Sequence, residues 1–163
     1  MRQAGRPDGP TATLELLGTM TRAINARFTY LRREEPGTQD PVSTLGMGKG
    51  SCRDFALLMM EAVRSLGLAA RFVSGYLYVP ASEGRRVGGG ATHAWLEVYL
   101  PGAGWMEFDP TNGSIGNRDL IRVAVVREPR QAVPLKGTWT GDPSDLIGTD
   151  VEVSVTSSGH AQS

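Results

Sequence analysis

The 163-residue sequence has few of the side chains from which disulfide frameworks and metal sites are built. It contains a single cysteine, Cys52, so no internal disulfide can form and no cysteine cluster can bind zinc. Its two histidines, His93 and His160, leave little with which to make a metal site. We therefore expect no metal ion and no cofactor, and a fold held together by its hydrophobic core.

An excess of charge of one sign and long apolar runs are also missing. Seventeen Lys and Arg residues balance seventeen Asp and Glu residues, whereas surfaces that bind nucleic acids or anionic membranes need a basic excess. No apolar run approaches the ~18 residues of a membrane span, and the first residues lack the apolar region of a secretory signal. Because 40% of the residues are hydrophobic, the chain can build a sizeable core, and we expect a soluble cytoplasmic domain.

The first half of the chain carries two helical patterns. Apolar residues recur at helical spacing over residues 14–27, and a broad apolar stripe over residues 51–66 predicts a second, mostly buried helix. Ser51 is a good N-cap for that helix, and Asp54 three residues later makes a variant of the capping box. Between the helices, two prolines and a glycine in residues 32–41 predict a loop, which a short glycine-rich stretch connects to the cysteine.

The second half of the chain is rich in strand patterns. The predicted strands cover residues 70–79, 92–100, 105–109, 121–126 and 151–155, with a glycine-ended loop at 80–90. Helices followed by an antiparallel meander indicate an α+β fold. We expect one domain over residues 14–156 with a C-terminal β extension, between a flexible lead-in of residues 1–13 and a disordered tail of residues 157–163.

Cys52 lies in the first turn of the predicted second helix. A lone cysteine in an intracellular protein is usually a small buried hydrophobic residue. At a helix N-terminus, however, unpaired backbone N–H groups and the helix dipole favour a thiolate and can bind an oxyanion. Gly50 and Ser51 are small and would let a substrate backbone approach closely. The position therefore makes Cys52 a candidate nucleophile.

A nucleophilic thiol needs a base, and the base needs a group that orients it. His93 begins a well-defined strand after the glycine-rich loop, whereas His160 lies in the predicted tail. Asp109 ends the partner strand of the same hairpin. The alternative for His93 is a strand-end histidine satisfied within the core, and the alternative for Asp109 is an ordinary turn aspartate before Pro110.

The register of this predicted hairpin decides whether Asp109 can reach His93. Directly opposed residues of an antiparallel pair share a face. A loop of two or four residues centred between Gly102 and Ala103 would place Asp109 on the face away from His93. A loop of three or five residues would pair Asp109 with Trp95, diagonal to His93 on the same face. A catalytic pair therefore requires an odd-length loop or a bulge, which the glycines of this turn can supply.

Three blocks of the sequence resemble the transglutaminase-like superfamily. They read GKGSCRDFA with LGLAARFVSGY around and after Cys52, THAWLEVY from residue 92, and GWMEFDPT from residue 104. The blocks occur in the family's order, and the resemblance is closest to bacterial transglutaminase-like proteins described as candidate cysteine proteases. It implies that Cys52 is the nucleophile, His93 the base and Asp109 the residue that orients the base. The implied fold is papain-like, with the nucleophile helix packed on an antiparallel β-sheet or open barrel.

The side-chain half of the oxyanion hole has no counterpart in the sequence. Animal transglutaminases use a tryptophan upstream of the cysteine, and all three tryptophans of this chain lie downstream. Papain-type peptidases use a glutamine just before the cysteine, and residues 44–51 contain none. The backbone N–H of Cys52 is therefore the one donor that the sequence assigns.

The combined pattern predicts a thiol-dependent acyl-transfer enzyme that acts on peptide or protein amide bonds. We favour a cysteine peptidase or amidase, because water at ~55 M is the default acceptor of a thioacyl intermediate unless the site excludes it. The alternatives are a protein-glutamine gamma-glutamyltransferase, acyl transfer from a thioester donor to an amine, and a non-catalytic interaction domain that retains the fold. The expected partner is a peptide or protein substrate, and neither a nucleic acid nor a membrane.

Overall fold

The computed structural model describes residues 12–33, 35–79, 87, 89–133, 137–138, 140–145, 148 and 152–154. The elements in chain order are α1 (Thr13–Arg27), β1 (Thr29–Tyr30), α2 (Pro41–Met47), β2 (Lys49–Gly50), α3 (Cys52–Ser65), β3 (Ala70–Leu77), β4 (Thr92–Leu100), β5 (Gly104–Asp109), β6 (Ser114–Ile115) and β7 (Leu120–Val126), followed by 3₁₀ turns at Pro129–Gln131 and Pro143–Asp145. Residues 1–11 of the predicted lead-in, most of the glycine-ended loop and the whole predicted tail lie outside the described residues.

The strands form a five-stranded antiparallel sheet in the order β6-β5-β4-β3-β7, and β1 pairs with β2 in a separate parallel pair. This arrangement confirms the α+β class and shows a sheet, as expected, for the helix that begins at Cys52 to pack on. The predicted meander is wrong in its last step, because β7 crosses back to pair with β3 instead of extending the edge beyond β6. The apolar pattern of β7 predicted its conformation but carried no signal for its partner.

Helix α3 packs on one face of the sheet and forms the centre of the hydrophobic core. The buried residues of α3 include Phe55, Met59 and Val63, which cluster with the β4 side chains that alternate toward the helix. Those β4 residues are Ala94, Leu96, Val98 and Leu100. The apolar stripe thus determines which face of α3 packs against the sheet. This packing holds the first turn of α3, with Cys52, at one end of β4.

Helix α2 was not predicted, because it spans the end of the predicted loop at residues 32–41 and the short glycine-rich stretch that follows. Proline is favoured at the first helical position, where its missing N–H costs nothing, and Pro41 occupies that position. Asp40 caps the helix, since its side chain accepts a hydrogen bond from the Ser43 N–H at 2.9 Å. The Asp-Pro pair was the available signal for a helix start.

The predicted strand over residues 151–155 is wrong for the residues that the structure describes there. Glu152–Ser154 have no regular secondary structure, and both flanking valines lie outside the described residues. An isolated short strand is not stable without a partner, and none of the described strands pairs with this segment.

Candidate active site

Cys52 is the first residue of α3, where the helix start is tightly specified. Ser51 precedes it as N-cap in an extended conformation, and the Ser51 N–H donates to Asp54 Oδ2 at 2.8 Å. The first intrahelical hydrogen bonds run from the Asp54 and Phe55 N–H groups to the Ser51 carbonyl, so the Cys52 N–H precedes them. The helix dipole also places partial positive charge beside the thiol. The thiol itself is buried, with 7% of Cys52 exposed.

Asp54 does more than the predicted capping, because it joins three segments beneath the start of α3. Its buried carboxylate accepts a hydrogen bond from the Gln39 N–H at 2.7 Å and forms an ion pair with Arg33 Nη1 at 2.9 Å. It also accepts the hydrogen bonds from Ser51. Burial raises the pKa of Asp54, but the hydrogen bonds from Gln39, Ser51 and Arg33 outweigh it and lower the pKa overall. The charged carboxylate therefore fixes the connection that leads into α3.

The β4–β5 hairpin brings His93 and Asp109 into contact. Its paired residues, from Leu96 with Phe108 to Leu100 with Gly104, have numbers that sum to 204, so the loop contains three residues. This is the register that the catalytic pair requires, and His93 Nε2 lies 2.8 Å from Asp109 Oδ2. Both side chains are fully buried.

Glycine makes this short loop feasible. Gly102 and Gly104 have φ angles of 85° and 80°, in the left-handed region that other residues rarely adopt. The Ala103 N–H closes the turn on the Leu100 carbonyl at 3.0 Å. The turn glycines therefore supply the register that aligns the two side chains.

His93 is surrounded by groups that stabilise its protonated form. Burial lowers its pKa, but the charge and hydrogen bond of Asp109, together with Cys52, raise the pKa to about 10. Nδ1, the nitrogen not used by Asp109, has no partner among the described hydrogen bonds, and the thiol lies close enough to affect the titration of the ring. The imidazole is thus shared between a carboxylate at Nε2 and the Cys52 sulfur.

Asp109 is at once a turn residue and a partner of the histidine. Its Oδ1 accepts the Thr111 N–H at 2.9 Å, which is an Asx turn, while its Oδ2 faces His93. Burial raises the pKa of Asp109, but the His93 charge and hydrogen bonds from His93, Asn112 and Thr111 lower it overall. Asp109 thus forms the predicted turn with one carboxylate oxygen and contacts His93 with the other.

Asn112 was missed by the sequence analysis. Its side-chain amide donates to Asp109 Oδ2 at 2.8 Å and to the Val87 carbonyl at 3.1 Å. It lies three residues after Asp109, in a Pro-Thr-Asn-Gly turn whose composition was the available signal. Asn112 holds the carboxylate in place and links it to residue 87 at the end of the loop before β4.

A second unpredicted feature is the close packing behind His93. The Trp95 ring is fully buried and stacks beside the imidazole, with ring centroids 6.1 Å apart and an interplanar angle of 27°. Gly75 pairs directly with His93 across β3 and β4. A Cβ atom at Gly75 would lie 2.9 Å from Trp95 Cη2 and would overlap the Ile121 carbonyl oxygen. Glycine is therefore required where β7, Trp95 and His93 converge.

The structure thus brings together Cys52, His93 and Asp109, while His160 lies outside the described residues. Trp95 belongs to the packing behind the site, whereas Tyr99 and Trp105 lie in contact on the exposed part of the hairpin.

Within the described part of the chain, no group of three His, Cys, Asp or Glu residues is arranged to bind a metal ion. None of the helices there is both long and apolar enough to cross a membrane.

Known proteins resemble this chain in sequence and in fold. An uncharacterized protein of Mycobacterium tuberculosis is 33% identical over 147 residues, which cover 86% of this chain and 47% of that protein. A protein-glutamine gamma-glutamyltransferase of Pseudomonas aeruginosa is 37% identical over 65 residues, covering 38% of this chain and 10% of the enzyme. The chain spans about half the length of the mycobacterial relatives that it matches.

The fold is similar to that of a crystal structure from Cytophaga hutchinsonii described as a candidate cysteine protease. The TM-score is 0.58 at 26% identity, and the match covers 71% of this chain and 37% of that protein. The sequence model of the transglutaminase-like superfamily matches residues 4–110, which include α3 and the whole β4–β5 hairpin. This chain belongs to the transglutaminase-like superfamily.

Proposed function

We propose that the protein is a thiol-dependent acyl-transfer enzyme that hydrolyses peptide or protein amide bonds. The observation that carries the proposal is the buried His93–Asp109 pair at 2.8 Å, whose free imidazole nitrogen is next to a cysteine at a helix N-terminus. A thiol, an imidazole and a carboxylate in this relation are the groups that nucleophilic acyl transfer needs. Family membership and the fold shared with a candidate cysteine protease support the same class of activity.

Each residue has a distinct role in the proposed reaction. His93 holds the proton of the Cys52 thiol, and the thiolate attacks the carbonyl carbon of the amide, forming a C–S bond and an oxyanion. Asp109 orients the imidazole and stabilises its positive charge. As the oxyanion collapses, the C–N bond breaks and His93 donates its proton to the leaving amine. The thioacyl intermediate is then transferred to an acceptor.

The acceptor defines the reaction, and we favour water. Water is the default acceptor in a site that does not exclude it, and the structural similarity to a candidate cysteine protease is consistent with hydrolysis. Transamidation is the second candidate, because the matched segment of the Pseudomonas aeruginosa protein-glutamine gamma-glutamyltransferase is 37% identical to this chain. The cytoplasmic location stays a prediction from the sequence.

One experiment distinguishes these outcomes. The protein is incubated with denatured casein in H₂¹⁸O that contains monodansylcadaverine, and the casein peptides are analysed by mass spectrometry. New carboxyl groups that carry ¹⁸O are expected, dependent on Cys52 and absent with Cys52→Ala. Dansyl-labelled glutamine side chains without ¹⁸O would identify the transglutaminase instead. Product formation equal in the wild type and the Cys52→Ala variant would contradict thiol-dependent acyl transfer.

A further inference from the structure

Tyr30 lies on β1 directly beside the segment that leads into Cys52. The Thr29 N–H donates to the Gly48 carbonyl and the Leu31 N–H to the Gly50 carbonyl, each at 2.8 Å. These bonds put β1 in a parallel register that pairs Tyr30 with Gly50, two residues before the nucleophile. The position of Tyr30 relative to the start of α3 is therefore fixed by the backbone.

The side chain of Tyr30 projects toward the first turn of α3. Paired residues of neighbouring strands direct their side chains to the same face. A Cβ atom built on Gly50 would lie 2.9 Å from the Asp54 Cβ, so that face is the one that meets the start of the helix. Because Gly50 has no side chain, nothing from the paired position separates the Tyr30 ring from the nucleophile.

The pKa of the phenol is affected by the groups around the start of α3. Burial raises the pKa of Tyr30, and among the charged groups Cys52 raises it further, against the opposing effects of Arg32 and Arg53. The hydroxyl therefore stays protonated at neutral pH and can donate a hydrogen bond. With 37% of Tyr30 exposed, the residue borders both the nucleophile and the solvent from which a substrate arrives.

The oxyanion needs a second donor, and Tyr30 is in the right place to supply it. The Cys52 N–H is available as one donor, because the first residue of a helix has no intrahelical acceptor for it. The three tryptophans lie downstream of Cys52, and residues 44–51 contain no glutamine. Preorganised donors aimed at the developing charge are often the largest single contribution to such catalysis.

We propose that the Tyr30 hydroxyl and the Cys52 backbone N–H together form the oxyanion hole of the site. When the thiolate attacks an acyl carbonyl, the C–S bond forms, the carbonyl π electrons move to oxygen, and these two groups donate hydrogen bonds to that oxygen. The bonds are released when the oxyanion collapses and the bond to the leaving group breaks. This assignment rests on the proposed acyl-transfer function.

Two thiol probes separate oxyanion stabilisation from thiol activation. Acylation of Cys52 by p-nitrophenyl acetate passes through a tetrahedral oxyanion and releases nitrophenolate, whereas alkylation by iodoacetamide displaces iodide without forming one. The variant is Tyr30→Phe, which keeps the ring and removes only the hydroxyl. Tyr99→Phe is the matched control, because Tyr99 lies on the exposed part of the hairpin in contact with Trp105.

We expect Tyr30→Phe to reduce the acylation rate constant by about 10- to 100-fold while its alkylation rate constant stays within about twofold of the wild type. Tyr99→Phe should change neither rate constant. Unchanged acylation in Tyr30→Phe would overturn the assignment, and so would an equal fall in both rate constants, which would mean that Tyr30 only positions the thiol. A wild-type protein whose alkylation rate is that of an ordinary free thiol would instead contradict the proposed function itself, so the two failures are distinguishable.

Discussion

His93 has a carboxylate on one ring nitrogen and a thiol near the other. Burial alone would hold the imidazole neutral, yet the charge of Asp109 reverses this effect and raises the pKa to about 10. A histidine protonated throughout the neutral range can stabilise a neighbouring thiolate by Coulomb attraction. The state of the whole site therefore depends on one hydrogen bond, from His93 Nε2 to Asp109 Oδ2.

Replacing Asp109 by asparagine should lower the pKa of His93 markedly. The Asp109→Asn variant keeps the size of the side chain but removes the charge that is the largest cause raising this pKa, so that only Cys52 still opposes the lowering effect of burial. We expect the pKa of His93 to fall well below the value of about 10 that it has in the wild type. The imidazole Cε1–H resonance followed by NMR against pH measures it, with His160→Gln to assign the two histidines. Asp142→Asn removes an exposed carboxylate and should leave the pKa of His93 unchanged. A His93 pKa that stays at its wild-type value in Asp109→Asn would contradict the role of the Asp109 charge.

At the scale of elements, the start of α3 depends on Asp54. The pKa of this carboxyl is lowered in the folded protein, so its stabilising effect is present above the unfolded pKa of about 3.9 and is lost as the pH falls through the folded value. We expect Asp54→Asn to reduce the free energy of unfolding by about 1–3 kcal/mol at pH 7, and the difference to shrink in acid. Urea denaturation at several pH values tests this.

Glu61→Gln is the matched control on the same helix. Glu61 is half-exposed and pairs with Arg64 at 2.8 Å, and such surface pairs contribute less than about 1 kcal/mol. A pH-independent difference between Asp54→Asn and the wild type would contradict a charged Asp54 at this position.

The pairing of β3 with β7 leaves no room for a side chain at residue 75. Gly75→Ala should destabilise the protein by about 1–3 kcal/mol, because the added methyl group overlaps the Ile121 carbonyl and contacts the Trp95 ring behind His93. Gly46→Ala in α2 is the control. Its Cβ meets no atom within 4 Å, so we expect stabilisation by about 0.5–1 kcal/mol. Thermal denaturation compares the two variants, and equal melting temperatures would contradict the packing described here.

Local signals in the sequence predicted the elements that carry the proposed catalytic residues. The stripe and cap of residues 51–66 predicted α3 to within one residue, and the alternation from Thr92 predicted β4. The glycines of the turn allowed the odd-length loop that the structure contains. Because these features depend on residues that are close in the sequence, the residue pattern was sufficient to predict them.

What the sequence did not predict depends on contacts between distant segments. Three features each require the tertiary fold: the pairing of β7 with β3, the network that joins Arg33 and Gln39 to Asp54, and the pairing of Tyr30 with Gly50. Helix α2 is different, because its Asp-Pro start was present in the sequence and was outweighed by the neighbouring loop residues.

At the scale of the whole molecule, one ion cluster joins three strands on the sheet face opposite α3. The buried Glu97 of β4 pairs with Arg71 of β3 at 2.6 Å and with Arg122 of β7 at 2.9 Å. The Arg71 guanidinium also lies 4.0 Å above the Trp105 ring. This cluster holds together strands that are distant in sequence, and it lies four residues along β4 from His93.

Glu97→Gln should therefore lower stability without altering the thiol. We expect the free energy of unfolding to fall by about 1–3 kcal/mol, because two charge-assisted interactions are weakened. Urea denaturation measures the loss, with Glu61→Gln on α3 as a control, because its exposed pair with Arg64 contributes less than about 1 kcal/mol. A changed pH profile of Cys52 alkylation in Glu97→Gln would contradict this expectation, because it would show that the ion cluster influences the thiol.

The central claim is that Cys52 and His93 form an activated pair. It is tested most directly by the rate of Cys52 alkylation with iodoacetamide between pH 4 and pH 9, in the wild type and in His93→Ala. The account predicts a reactive plateau that extends well below the ordinary thiol pKa of about 8.5, and its loss in the variant. A single titration near 8.5 in the wild type, unchanged in His93→Ala, would contradict it and would favour a non-catalytic domain that retains the fold.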